Sequence, residues 1–359
     1  MKICVLATAA REGGALSIVN QFLDALEGNV GNDRYYVFTD PTITLRPIES
    51  VEYIPCDTHG FNRVRFDAFG FRRLVDERGI NPDVILSFQN TAVSYTCPKQ
   101  IVYFHQLFAV LDSRWSLFKS EERKFFLYST LYPKYVKHYL RHATDVVVQA
   151  DFIKELFSRK FNFNSDHIHV IRPNCNIKEL SGTTPYPFEE AKYNLFYPVR
   201  AFFYKRFDVL AEAMAILKRQ DIRVHLTFRA EELPSLQKRI HELHVENNFV
   251  FHGSLPFETV QSIYLASTAL VFPSDVETQG LPLVEAATMG LPIIVNDLPY
   301  AHDAIRGYEG ATYIADNDAS LWAKAIGSLC SEANSNTHFP PLQLDTTNSW
   351  PLLLKLIRE

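Results

Sequence analysis

The sequence predicts an α/β protein of two doubly wound, Rossmann-like domains. Three observations carry this. Short apolar runs alternate with segments of helical periodicity from end to end. The alternation is interrupted once by a turn-rich stretch and then restarts. The 359 residues exceed one typical core and fit two domains of about 150 to 190 residues.

In the first half the apolar runs stand at 3–7, 35–38, 84–88, 101–104, 146–148 and 168–171. Between the first two, Ile18, Val19, Phe22, Leu23 and Leu26 recur at helical spacing and give a helix one buried face. The stretch Ser181-Gly-Thr-Thr-Pro-Tyr-Pro187 is a run of turn formers and reads as the linker. The second alternation has its runs at 195–199, 224–228, 250–251, 269–272 and 293–295. The expected domains are therefore 1–180 and 192–333, with a linker at 181–191 and a polar tail ending in an apolar helix at 334–359.

Bulk composition narrows the function classes. An apolar content of 47% with 21% charged residues is that of a folded soluble protein. The formal charge of −5 argues against nucleic acid as a partner. Five scattered cysteines without a C-x-x-C pair indicate neither a disulfide framework nor a zinc site, which suits a cytoplasmic protein. The first residues enter a strand without a signal peptide, and no apolar run approaches the about 18 residues that span a bilayer.

The chemistry concentrates in Glu277-Thr-Gln-Gly-Leu-Pro-Leu-Val-Glu285. An apolar strand precedes it, and a helix is expected after Gly280, with Pro282 in the first turn and Gly290 closing the helix. The first amides of that helix, near Gly280, Leu281 and Leu283, are expected to be free for an anion. Glu285, about one turn in, can accept hydrogen bonds from vicinal hydroxyls. Glu277, on the loop, reaches a different part of the same ligand. Carboxylates for hydroxyls flanking amides for phosphate suit a nucleotide sugar.

This frame resembles the E-x7-E motif of the retaining glycosyltransferases of family 4, which have the GT-B fold. The resemblance is strengthened by Val271-Phe-Pro-Ser before the frame and Gly290-Leu-Pro-Ile-Ile-Val after it. It implies two domains facing across a cleft, a last helix returning to the N-terminal domain, and hexose transfer from a nucleotide diphosphate sugar to a hydroxyl of a growing glycan. It also implies no divalent metal and no firm covalent nucleophile, with the departing phosphate accepting the incoming proton.

Further residues fit that pattern. Arg200 and Lys205 are expected to flank a strand end and grip a diphosphate, one by a bidentate fork and one as a point charge. Family members carry a similar Gly-Arg and Lys-Gly pair there, so only the two cations carry over. In Ala10-Arg-Glu-Gly-Gly14, the glycine pair resembles the Gly-Gly loop of GT-B enzymes, and Gly14 is a candidate donor contact or a plain turn glycine. His105 follows the strand 101–104, where the resemblance implies contact with the donor sugar or acceptor. Glu277 and His105 are thus the candidate catalytic residues, and Gly14, Arg200, Lys205, Gly280, Leu281 and Glu285 the candidate donor-binding ones. No metal site is expected: Asp316-Asn-Asp318 spells D-x-D but reads as a helix cap.

Residues 114–141 are aromatic and net positive within an acidic chain. They read either as a packed helical hairpin or as an amphipathic surface for an anionic membrane, which would suit a lipid-linked acceptor and a peripheral location. Three rivals stand beside the main reading. One is another GT-B-fold enzyme such as a sugar-nucleotide epimerase. Another is a non-catalytic sugar-nucleotide-binding subunit. The third is an NAD enzyme reading ribose through Asp40, against which the missing G-x-G-x-x-G speaks.

Overall fold

A computed structural model describes residues 1–112, 115–174, 183–188, 191–331, 338–343 and 350–359. The chain forms two units, Met1–Asn174 with Asp345–Glu359, and Cys175–Leu344. Arg114, Cys175, residues 181, 182, 189 and 190 of the expected linker and most of the polar tail lie outside the described residues.

The first unit is built on seven parallel strands: β1 (Lys2–Ala7), β2 (Arg34–Thr39), β3 (Val51–Pro55), β4 (Val84–Ser87), β5 (Lys99–Tyr103), β6 (Asp145–Val148) and β7 (Ile168–Val170). They lie in the order β3-β2-β1-β4-β5-β6-β7. Strands such as Ile3-Cys-Val-Leu are buried on both faces, which is why they read as unbroken apolar runs. The helix Gly13–Leu26 packs Ile18, Val19, Phe22, Leu23 and Leu26 into the core, as its periodicity predicts. The last helix, Trp350–Arg358, joins this same core. Trp350 stacks on Tyr103 at 5.8 Å and donates its indole N–H to Gln21 Oε1 at 3.1 Å.

The second unit has six parallel strands: β8 (Tyr193–Tyr197), β9 (Ile222–Leu226), β10 (Phe249–Phe251), β11 (Ala269–Phe272), β12 (Ile293–Asn296) and β13 (Ala311–Ile314). Their order is β10-β9-β8-β11-β12-β13. In each sheet the strand order reverses beside the first strand of the unit, between β1 and β4 and between β8 and β11. Ligands of open parallel sheets bind outside the carboxyl ends at such a point.

Two strands escape the apolar-run rule. β3 (Val-Glu-Tyr-Ile-Pro) and β13 (Ala-Thr-Tyr-Ile) are the outermost strands of their sheets, half exposed, and so carry polar residues. The segment 183–188, read as linker, lies against the second unit, where Phe188 packs on His225 at 4.4 Å. Residues 338–343, read as tail, are tied to the same unit: Phe339 N–H donates to Gly290 O at 2.9 Å and Leu342 N–H to Ala287 O at 2.9 Å. A Cβ on Gly290 would run into the Phe339 carbonyl oxygen, so glycine serves close approach there as well as its left-handed backbone.

Candidate functional site

The loop between β11 and the helix Leu281–Thr288 holds the frame seen in the sequence. Gly280 caps the helix in left-handed backbone at φ 60, and a Cβ there would stand 3.0 Å from Leu283 Cδ1. Among the described residues the amides of Gly280 and Leu281 have no hydrogen-bond acceptor. Leu283 departs from expectation: its N–H donates to Gly280 O at 2.8 Å, because the first turn tightens to i→i+3 bonding. With Pro282 lacking an N–H, the open amides of this first turn, among the described residues, are those of Gly280 and Leu281.

Arg200 and Lys205 follow β8, which ends at Tyr197, three residues before Arg200. The chain passes through a short helical turn, Phe203–Lys205, and reverses at Arg206 (φ 54) into the helix Phe207–Leu217. That turn buries Lys205, whose carbonyl accepts the Tyr197 hydroxyl at 2.9 Å. Its ammonium lies 5.3 Å from the Tyr204 ring and pairs with Glu277 Oε1. The two side chains are only 10% and 14% exposed, so this pair is shielded from solvent and salt. Arg200, by contrast, is exposed and makes no ion pair among the described residues. The two cations expected to act alike therefore differ: one is free, the other is already neutralised by the candidate catalytic carboxylate.

Further groups hold the loop. Burial, then the Glu277 charge, pushes the Tyr197, Tyr204 and Tyr300 hydroxyls up, so all three stay protonated around that carboxylate. Tyr300 donates to Ser274 O at 2.6 Å. Asp275 accepts from Arg206 at 3.2 Å, Asn296 at 3.2 Å and Asn317 at 2.9 Å, while Asn317 also donates to Pro273 O at 2.7 Å. The expected cap is present: Asp318 Oδ1 accepts the Ser320 and Leu321 amides at 2.8 and 3.1 Å. The middle residue of that D-x-D thus braces the Glu277 loop, a role its spacing does not disclose.

Glu285 is half-buried on the helix, and the Tyr264 hydroxyl donates to its Oε2 at 2.8 Å. Burial raises its carboxyl above the usual range, against the lowering by Tyr264. One oxygen is occupied, so a ligand hydroxyl would use the other or share Oε2.

The remaining two candidates stand on the first unit. Gly13, not Gly14, takes the left-handed backbone (φ 60), and a Cβ on Gly14 would meet nothing within 4 Å. Neither local packing nor backbone demands a glycine at 14. His105 lies two residues past the end of β5 and is held by Asn90, a partner fifteen positions away that the sequence alone does not disclose. Its backbone N–H donates to Asn90 Oδ1 at 2.6 Å, and its Nδ1 is buried without a partner. Burial pushes the ring down to about 4, so it is neutral near pH 7.

Asp40, the residue of the NAD rival, is occupied. Thr42 donates through its hydroxyl and amide at 2.6 and 3.0 Å and Arg11 at 2.5 Å, and these bonds hold the carboxyl at about 2. Among the described residues no three His, Cys, Asp or Glu side chains gather as metal ligands.

In the 114–141 stretch, Phe125, Val136, Tyr139 and Leu140 are buried, as a packed hairpin requires. Phe118 is 93% exposed, and Leu117, Leu127 and Leu131 are exposed beside Lys119, Lys124, Lys134 and Lys137. No described helix is long and apolar enough to cross a membrane.

Residues 185–340 match the family described as glycosyl transferases group 1. An O-antigen chain mannosyltransferase, RfbU of Salmonella typhimurium, is 24% identical over 195 residues, 54% of this chain and 53% of that protein. The chain thus aligns with about half the length of that relative. Two solved structures share the fold over nearly all of both chains. Sucrose-phosphate synthase from Thermosynechococcus elongatus has a TM-score of 0.68 at 16% identity, covering 99% of this chain and 94% of its own. WaaG, a glycosyltransferase involved in lipopolysaccharide biosynthesis, has a TM-score of 0.66 at 15% identity, covering 99% of both chains. The fold is GT-B, two Rossmann-like α/β domains.

Proposed function

We propose, from the match of residues 185–340 to the glycosyl transferases group 1 family, that this chain is a retaining glycosyltransferase. It moves a hexose from a nucleoside diphosphate sugar to a hydroxyl of a growing glycan. The observation that carries this reading is the Lys205–Glu277 pair beside the open amides of Gly280 and Leu281, at the carboxyl edge of the second sheet. One carboxylate, one shielded ammonium and two backbone donors suit a ligand with hydroxyls at one end of a diphosphate.

In this reading the two amides and Arg200 take the diphosphate, and the donor adds a second anion to the Lys205 ammonium. Glu277, loosened from Lys205, turns its charge to the hydroxyls of the transferred sugar. Glu285 holds the ribose through the oxygen Tyr264 leaves open. Gly14 admits close approach of the ligand, and His105 offers a neutral ring to donor or acceptor. The departing phosphate accepts the proton of the attacking hydroxyl, and the reaction needs no divalent metal.

The O-antigen mannosyltransferase relative supports a cell-surface glycan as the product class and mannose as the first sugar to try. The exposed Leu117, Phe118, Leu127 and Leu131 among lysines support a lipid-linked acceptor reached at an anionic membrane surface, and hence a peripheral cytoplasmic location. The test incubates purified protein with nucleotide sugars and a lipid-linked or free glycan. Acceptor-dependent release of nucleoside diphosphate with a longer glycan supports transfer. An epimerised sugar without acceptor dependence supports the epimerase rival, and binding without turnover supports a non-catalytic subunit.

A further inference from the structure

Asn90 lies three residues past the end of β4, in the polar run Gln89-Asn90-Thr91, buried and in left-handed backbone at φ 64. Its neighbours pin it on both sides. Arg63 donates to Gln89 O at 3.2 Å and to Thr91 Oγ1 at 2.6 Å, while its Nε is 3.0 Å from both oxygens of the buried Asp67. The Tyr132 hydroxyl reaches Gln89 O at 3.5 Å.

The two contacts between Asn90 and His105 can be read for proton positions. The His105 backbone N–H can only donate, and it meets one end of the Asn90 amide at 2.6 Å, so that end is the oxygen. The other end is then the NH2 group, which can only donate, and it faces His105 Nε2 at 3.4 Å. A ring nitrogen opposite a donor must present its lone pair. A neutral imidazole so oriented carries its proton on Nδ1, the buried nitrogen for which the unit supplies no acceptor.

We propose that Asn90 is a positioning residue that holds His105 as the Nδ1–H tautomer and so keeps one buried N–H donor in reserve for an oxygen of a substrate bound to the first unit. An unsatisfied buried donor is costly in the empty protein and is relieved when a ligand oxygen arrives. The tautomer rests on this geometry alone. Its use in turnover rests on the glycosyltransferase reading.

The test labels the histidine rings with ¹⁵N and records two-bond ¹H–¹⁵N correlations at pH 7, with a His105→Gln variant to assign the signal. The wild-type ring should show a protonated Nδ1 and an unprotonated Nε2. Asn90→Asp tolerates left-handed backbone and still accepts the His105 amide. It opposes Nε2 with a carboxylate oxygen, so the ring should carry its proton on Nε2. Turnover should then fall by roughly tenfold or more, with nucleoside diphosphate affinity unchanged. A wild-type ring protonated on Nε2, or an Asn90→Asp ring still lacking a proton there, overturns the tautomer assignment. An altered tautomer with normal turnover overturns the positioning role. A wild type inactive with every donor, but showing the Nδ1–H ring, would count against the glycosyltransferase reading and leave the tautomer standing.

Discussion

Glu277→Gln separates binding from chemistry more sharply than any other change. In the free protein the Lys205 ammonium has the Glu277 carboxylate as its counter-ion, with both side chains largely shielded. Glutamine keeps the shape and one carbonyl acceptor but leaves that ammonium without a compensating charge. Breaking a buried pair outright costs about 3–5 kcal/mol, and a remaining charge-assisted hydrogen bond returns about 1.5–3 kcal/mol. The variant should therefore lose stability on the order of 1–3 kcal/mol. A bound diphosphate supplies the missing anion, so part of that loss returns as affinity. About 1.4 kcal/mol recovered is a tenfold tighter dissociation constant. Turnover should move the other way, because a reacting group misplaced by about 1 Å can cost around a hundredfold. Calorimetry with nucleoside diphosphate, thermal unfolding with and without it, and steady-state transfer rates read the three quantities. A diphosphate affinity weakened as much as in Lys205→Ala would make Glu277 a binding group rather than a competitor for the ammonium.

The other predictions follow from neighbouring residues. Arg200→Ala and Lys205→Ala should each weaken donor binding by about 1.5–3 kcal/mol, the worth of one charge-assisted contact; unchanged affinity in both by calorimetry would remove them from the site. Glu285→Gln should weaken free nucleoside diphosphate and sugar nucleotide alike. It should also flatten a pH slope: burial raises this carboxyl above 4.5, so the folded state binds its proton more tightly than the unfolded one, and stability falls as pH rises above that value. Denaturant midpoints at several pH values that show the same slope in variant and parent would contradict this. His225 is pushed to about 3 by burial, then by His252, with Asn194 on its other nitrogen and Phe188 against the ring. Its stabilisation should be complete above 6.5 and fade as pH drops toward about 3, and a His225→Gln variant equally acid-sensitive between those values would show that other groups dominate. Replacing Lys119, Lys124, Lys134 and Lys137 by glutamine should reduce sedimentation with anionic vesicles by about 1 kcal/mol per charge, and a parent protein that ignores such vesicles at low salt would leave the hairpin as packing only.

Legibility in the sequence followed burial and range. Strands buried on both faces, such as β1 and β11, announced themselves as apolar runs, whereas the half-exposed edge strands β3 and β13 did not. The helix opening at Gly280 was legible because glycine, proline and a second glycine punctuate it locally. Lys205 and Glu277 were each legible as loop charges, but their pairing spans 72 positions and depends on how β8 and β11 lie side by side. Asn317 and Asn90 were illegible for the same reason. Each is a polar residue past a strand end whose partners come from elsewhere in the fold. The one available signal was a polar run, Gln89-Asn90-Thr91, directly after a buried strand, where unpaired polar groups need a purpose.

The proposed donor site consists of the shielded Lys205–Glu277 pair and the Gly280–Leu281 amides. The most direct measurement is acceptor-dependent release of nucleoside diphosphate by the wild type and Glu277→Gln, run with and without chelator. The wild type should release diphosphate whether or not chelator is present, give product of unchanged anomeric configuration, and exceed the variant by roughly a hundredfold. Release that requires added divalent metal, or that survives the loss of Glu277, would contradict this assignment.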